Sequence, residues 1–445
     1  MDVVFLRCAG LDVHKKSITA CRIVPDPTGQ ETEGIAELRT FGTMTLELLA
    51  LADWLTEASI THVAMESTGE YWTPVYNLLE GTLTVFLVHA AHVKNVPGRK
   101  TDKADARWLA KLMRFGLLQA SFIPPQGQRD VRDLPRYRTK LVQERVREVN
   151  RLQGGLERAN IKLASVASDI MGVSGRAMLA ALIAGKADPA TMADLAKRRM
   201  RAKLPLLEQA LTGVVRDHHR QLLAMQLAHI DFLDEHIAAL NTTIATALRA
   251  LSADASLSPQ PLPRATASSA LPLTGSTPLT FTRAVELLDT ISGVDQRGAE
   301  VIVTEIGMDM SRFATAPRLA AWAGVAPGND ESAGKQRSGK TRKGNRSLRA
   351  SLTQLAHAAV RTKGTYLSAL YQRLAARRGK QRAIIAVAHS MMRSVFHMLS
   401  RNESYRELGA NYFDERRRHY TVDRLTRRIE PLGYRVHLEP VASVA

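Results

Sequence analysis

Cysteine is nearly absent. The 445 residues hold two, Cys8 and Cys21, and neither belongs to a CxxC or lies near a histidine pair. That excludes a disulfide framework and gives no zinc spacing, so both are expected to be buried thiols in strand-like runs. Aromatic residues make up only 5% of the chain beside 45% apolar and 23% charged, the balance of a soluble, helix-rich protein. No stretch approaches the about 18 consecutive apolar residues of a spanning helix, and the first residues lack the basic, apolar, small-residue order of a secretory leader. A cytoplasmic protein with no membrane partner is expected.

The most informative absence is of acid. From Ser332 to Asn402 there is no Asp or Glu, while the same span holds sixteen Lys or Arg, so nearly all of the net charge of +18 is concentrated there. Such a segment suits a phosphate backbone, because cations that neutralise phosphates release condensed counterions. A solvated basic face or a membrane-surface patch is the alternative on composition alone. The segment opens at WAGVAPGNDESAGKQRSGKTRKGNRSLR, Trp322 to Arg349. Here an apolar run ends in the turn Ala326-Pro327-Gly328-Asn329, then Asp330, Glu331 and Ser332 follow. Next come Lys335, Arg337, Lys340, Arg342, Lys343, Arg346 and Arg349, the expected nucleic-acid contacts. A hydroxyl thus stands at the mouth of a cationic loop, with Ser338 and Ser347 as equal candidates on residue type.

Taken in order, the chain divides into five parts: 1–125, 126–251, 252–280, 281–404 and 405–445. In the first, VVFLRCAGLDV and SITACRIV read as a strand hairpin about His14-Lys15-Lys16, and IAELRTFG as a third strand. A helix over Leu46 to Glu57, the strand THVAMEST, the helix EYWTPVYNLLEG and the strand LTVFLVHA follow. That order is expected of an RNase H-like sheet. Asp12 ends the first strand, Glu66 the fourth, and Asp102 and Asp105 stand three apart at the start of the helix KTDKADARWLAKLMR, sharing one face. Singly, each has a structural reading: Asp102 an N-cap, Asp105 a first-turn acid, Glu66 a strand-end acid. Four together supply hard oxygen ligands for Mg²⁺ or Mn²⁺.

Beyond SFIPPQG, Val142, Val149 and Leu156 are seven apart with Leu141, Val146 and Leu152 between them. Leu223, Ile230, Ile237 and Ile244 repeat the spacing, with Leu227, Leu233 and Leu240 in the seam. Heptads of this kind suit a coiled coil, either packed within the chain or joining two copies. Ala164 to Gly213 is mixed helix without a legible role. Ser252 to Pro278, rich in Ser, Ala, Thr and Pro, reads as a flexible linker. AVELLDTISGVDQRGAEVIVTEIG then gives helix, turn, helix, resembling a helix-hairpin-helix whose backbone amides hold a DNA phosphate. Asp295 stands where that motif has its second glycine and Ser292 where proline is common. An acid there repels phosphate, which leaves DNA contact or packing as roles for positions 291–298. Three amphipathic helices follow the basic loop, and the residues from Tyr405 on read as a poorly specified tail.

GLDVHKKS, AMESTGEYW, KTDKADARWLA, LLDTISGVDQRGAEVIVTEIG and LAAWAGVAPGNDESAGKQRSGKTRKGNRSLRASL occur in that order. They resemble the insertion-sequence transposases with an Asp-Glu-Asp-Asp RuvC-like domain and a C-terminal serine transposase domain, the bridge-RNA-guided recombinases. The resemblance implies an α/β RuvC-like (RNase H fold) N-terminal domain, a helical coiled-coil middle and a mostly helical C-terminal domain. It implies that Asp12, Glu66, Asp102 and Asp105 hold divalent metal near the scissile phosphate, and that Ser332 attacks DNA and becomes covalently joined to it. It also implies an element-encoded guide RNA, donor and target DNA as partners, and a dimer or tetramer whose active sites combine domains of different subunits. Two other classes of function stay open at this point. One is a RuvC-like, metal-dependent, structure-specific nuclease indifferent to Ser332; the other is a nucleic-acid-binding protein without catalysis.

Overall fold

The computed structural model describes residues 2–26, 34–66, 69–88, 102–253, 279–328, 330–332, 335–341, 343–416 and 418–437. Among these, 102–104, 330–332, 335–338, 419, 421 and 424 are described in their backbone alone. The linker reading over Ser252 to Pro278, all but its first residues, lies outside the described residues, as does Arg342. The chain forms two compact units, Met1–Gln126 and Gly127–Ala445.

The first unit is built on five strands: β1 (Cys8–Val13), β2 (Ser17–Val24), β3 (Ile35–Gly42), β4 (His62–Glu66) and β5 (Thr84–Val88). They lie in the order β3-β2-β1-β4-β5. β1, β2 and β3 pair antiparallel, whereas β4 runs parallel to β1 and β5 parallel to β4. The alternation of side chains along β1 explains the layers on either face. Ala9, Leu11 and Val13 face one way, into a core with Leu51, Trp54 and Leu55 of α1 (Thr45–Glu57) and Val75 and Leu79 of α2 (Trp72–Leu79). Cys8 faces the other way, with Cys21, Ala64 and Val88, against Ala106, Leu109, Ala110 and Met113 of α3 (Asp102–Arg114). At Gly10, which shares that face, α3 comes so close that a Cβ would lie 2.3 Å from the Ala106 carbonyl oxygen and 2.4 Å from the Ala110 nitrogen. Both cysteines are buried and free.

Among its described residues the second unit is largely helical, with one small hairpin. Helix α4 (Gln126–Arg158) runs out, and the chain returns along α9 (Asp217–Ala253). Leu141 packs with Leu233 and Ile237, while Leu152 and Leu156 pack with Leu223 and Ile230, so the two helices are antiparallel within one chain. The α9 heptads hold as read: Leu223, Ile230, Ile237 and Ile244 are all buried. On α4 the seam is narrower, because Val142 and Val146 are exposed at 39% and 51%. Short helices α5 (Leu163–Val166), α6 (Val173–Ala184), α7 (Pro189–Asp194) and α8 (Leu204–Leu211) complete the core at the far end of this pair, which gives the segment 164–213 its role.

From residue 279 on come α10 (Phe281–Asp289), α11 (Gln296–Ile306), α12 (Ala316–Trp322), α13 (Arg346–Ala359), α14 (Tyr366–Arg378) and α15 (Lys380–Arg401). α15 packs against α10, α12, α13 and α14. It is the one helix among the described residues long and apolar enough to cross a membrane by length and composition alone, and half of its apolar window is buried as a core helix. The α10–α11 turn is occupied by the protein itself. Gly293 has φ of +85° and sits where a Cβ would come 2.3 Å from the Ala359 nitrogen. Asp295 caps α11 by accepting from the Gly298 N–H at 2.8 Å, so this acid serves the helix N-terminus. Ser292 donates to Glu407 Oε2 at 3.3 Å, and Glu407 Oε1 accepts from the Tyr366 N–H at 2.7 Å. Residues just past Tyr405 are therefore docked onto the unit before α16 (Tyr412–Glu415) and α17 (Arg418–Ile429).

Candidate active site

The strand register decides where the acids lie. Leu11 pairs with Met65 across the parallel β1–β4 ladder, so Asp12 and Glu66 come next, side by side, on neighbouring strands. Asp12 shares a face with Cys8 and Gly10, and Glu66 with Ala64, which is the face that α3 covers. α3 runs antiparallel to β1: Val4 and Phe5 donate to Arg114 O, Cys8 Sγ to Ala110 O, and Gly10 abuts Ala106. Extending that pairing carries the first turn of α3, with Asp102 and half-buried Asp105, toward the Asp12 end of the sheet. Asp12 is 7% exposed. All three elements thus bring carboxylates to the same end and face, the donor chemistry of a hard divalent cation. Among the described residues no group of three or more His, Cys, Asp or Glu closes into a metal site, and the side chain of Asp102 lies outside that description.

One neighbour is new. His14 Nε2 lies 3.2 Å from Asp12 Oδ2. In DVHKK the histidine stands two past the aspartate, the spacing that returns a strand side chain to the same face. That spacing was the signal for it.

The thiols take no part. Burial pushes Cys8 up to about 12 against the opposing pull of Arg114, and pushes Cys21 up to about 11. Both stay protonated at neutral pH, in a form that neither attacks nor binds metal well.

Ser332 lies on the second unit. β6 (Asp330–Ser332) and β7 (Lys335–Ser338) form an antiparallel hairpin, with a register shift between Asp330 and Glu331. Ser332 pairs directly with Lys335 and Glu331 with Gln336. Arg337 is on the same β7 strand. Lys340 and Lys343 are exposed on the chain leading to α13, where Arg346 is exposed and Arg349 half-buried in the first turn. A helix N-terminus already carries partial positive charge, so these arginines add to a field that attracts phosphate.

The hairpin hangs from a closed neck. The Asn345 N–H donates to Trp322 O at 2.9 Å, and a Cβ on Gly344 would lie 2.4 Å from the Gly324 nitrogen. Asn345 Oδ1 accepts from the Leu348 N–H at 3.0 Å, capping α13. Its Nδ2 donates to Glu305 Oε2 at 2.6 Å.

Two family models match this chain. One, described as a transposase, matches residues 9–161, a range that contains Asp12, Glu66, Asp102 and Asp105. The other, described as the transposase IS116/IS110/IS902 family, matches residues 285–372, which contain Ser332 and the whole basic loop. No curated protein matches. The two matches define a transposase. Together they cover just over half of the chain, and on them the chain belongs to the IS110-type insertion-sequence transposases.

Proposed function

We propose that this transposase cuts and rejoins DNA through a covalent phosphoserine at Ser332, with divalent metal held by Asp12, Glu66, Asp102 and Asp105. The observation that carries the reading is the hairpin that pairs Ser332 with Lys335 in a segment free of acids beyond it. A serine hydroxyl is a weak nucleophile at its own pKa and needs both deprotonation and neutralisation of the developing charge on phosphorus. Lys335, Arg337, Lys340, Arg342, Lys343, Arg346 and Arg349 would supply the cations. In the step, the Ser332 Oγ–P bond forms, one P–O bond to a deoxyribose breaks, the Oγ proton leaves to a base, and the departing deoxyribose oxygen takes up a proton. Because a phosphodiester is exchanged for a phosphoserine ester, the strands can be rejoined without ATP.

The donor set supports the metal reading. Four carboxylates suit Mg²⁺ or Mn²⁺, which when bound would lower the pKa of the attacking hydroxyl and neutralise phosphate oxygens. The antiparallel-then-parallel strand order supports an RNase H or RuvC-like assignment of the first unit. The guide RNA rests on the motif resemblance and on the net charge of +18. Exposed Tyr137, Val142 and Val146 on α4 support a homo-oligomer.

Strand exchange between an element end and a target duplex tests the proposal. Ser332→Ala and Asp12→Ala should each abolish exchange while DNA and RNA binding persist. Mg²⁺-dependent nicking that continues unchanged in Ser332→Ala would favour a RuvC-like nuclease instead.

A further inference from the structure

Glu305 is 1% exposed, deep in a helix whose residues from Ala299 to Ile306 are all buried. A carboxylate in such a place must be fully hydrogen-bonded, since an unpaired charge is strongly disfavoured away from water. Its partners come from two distant parts of the chain. Arg136 of α4 makes a two-pronged contact, Nε to Oε1 at 2.6 Å and Nη2 to Oε2 at 2.8 Å. The third donor is Asn345 Nδ2, also to Oε2, at 2.6 Å. Three elements, α4, α11 and the start of α13, therefore meet at one carboxyl group.

Asn345 is also half of the neck that closes residues 325–343. On one side of the neck everything is backbone: the Asn345 N–H on Trp322 O, and Gly344 against Gly324 with no room for a side chain. Beside the packing of α13 on α11, the Asn345 amide on Glu305 ties this neck by a side-chain bond to the carboxylate that Arg136 of α4 also holds. A long loop is held in one geometry by few bonds at its roots, so a small displacement there moves a residue at its tip.

We propose that Glu305 is a positioning residue for the Ser332 hairpin, acting through Asn345 to fix the loop neck against the Arg136-bearing helix. The inference rests on the reading of Ser332 as nucleophile. Glu305 touches no DNA; it sets where the hairpin stands.

The two functions of Asn345 can be separated chemically. Asn345→Asp keeps a good N-cap for α13, but removes the donor and sets a second carboxylate against Glu305. Adding Glu305→Gln restores an amide donor across the same pair and leaves Arg136 an acceptor. Full-length protein is incubated with guide RNA, metal and labelled duplex from its element's end, and covalent adduct formation is timed. The rate should fall about ten- to hundredfold in Asn345→Asp, the cost expected of a misplaced reacting group, with DNA affinity unchanged, and most of it should return in the double variant. Trypsin, which cuts after Lys335, Arg337, Lys340 and Lys343, should cleave the loop faster in Asn345→Asp and at the original rate in the double variant. A role for Asn345 in capping alone leaves Asn345→Asp indistinguishable from the parent in both assays, and that result overturns the proposal. So does a double variant as slow and as trypsin-sensitive as the single one. Ser332→Ala is run alongside: if it still forms adduct, the nucleophile reading fails, and the trypsin comparison alone decides whether Glu305 fixes the neck.

Discussion

Gly10 and Ala106 are in backbone contact: a Cβ at position 10 would lie 2.3 Å from the Ala106 carbonyl oxygen. The first turn of α3, which carries Asp102 and Asp105, keeps its place over β1 only because residue 10 has no side chain. Gly10→Ala should lower stability by about 1–3 kcal/mol, the range for overpacking a core, and should cost strand exchange beyond what the smaller folded fraction explains. Urea unfolding beside an exchange assay at a temperature where the variant is folded checks both parts. A variant with parental stability and exchange would show that α3 can move without consequence.

The buried pair Arg138–Glu300 ties α4 to α11. Arg138 Nη1 donates to Glu300 Oε2 at 2.6 Å with both side chains about 95% buried; Nη1 also donates to Asn241 Oδ1 and Nη2 to Arg297 O, each at 3.1 Å. Arg138→Met alone leaves a buried carboxylate without its cation and should cost about 3–5 kcal/mol. Arg138→Met with Glu300→Leu removes both charges and should recover most of that loss. A double-mutant cycle in urea reads the coupling.

The thiols give a pH dependence with a defined sign. Folding raises Cys8 from its ordinary 9.0 to about 12 and Cys21 from 9.0 to about 11. The folded state holds these protons more tightly than the unfolded chain, so their contribution is complete below about pH 9. It is lost as pH rises from about 9 through 11 and 12. Cys8→Ala with Cys21→Ala should be less stable at neutral pH because packing is removed, yet show a shallower decline above pH 9. Parallel slopes for parent and variant in that window would contradict the assignment.

Cations of the basic loop should appear in the salt dependence of DNA binding. Lys340 and Lys343 are exposed beside the hairpin. Replacing both by Gln should reduce the slope of log K against log salt by about 2, close to one for each phosphate no longer neutralised. An unchanged slope, measured by titration at several salt concentrations, would place the phosphates elsewhere.

Much of the fold was legible from the residues, for reasons that also mark the limit. The five strands follow from apolar runs and turn residues within about ninety residues, and β1, β2 and β3, like β4 and β5, pair with their sequence neighbours; the crossover that sets β4 beside β1 has no such local cue. The α9 heptads were readable because periodicity is local, whereas on α4 Val142 and Val146 fit the same spacing and yet face solvent. Nothing in the local sequence marks Glu300 and Glu305 as buried. They are buried because Arg138 and Arg136 reach them from more than a hundred and fifty residues away, and such a pairing leaves no local trace. The same holds for Glu407, whose partners Ser292 and Tyr366 lie on other elements. Asp295, read as a repulsion to phosphate, is an N-cap; three residues to Gly298 was the available cue.

The proposed phosphoserine at Ser332 is tested most directly on a denaturing gel of labelled element-end DNA incubated with the protein, guide RNA and Mg²⁺, with and without protease. Covalent attack by Ser332 predicts a slow band that protease removes and that is absent in both Ser332→Ala and Asp12→Ala. Free nicked DNA without an adduct, formed equally well by Ser332→Ala, would contradict it.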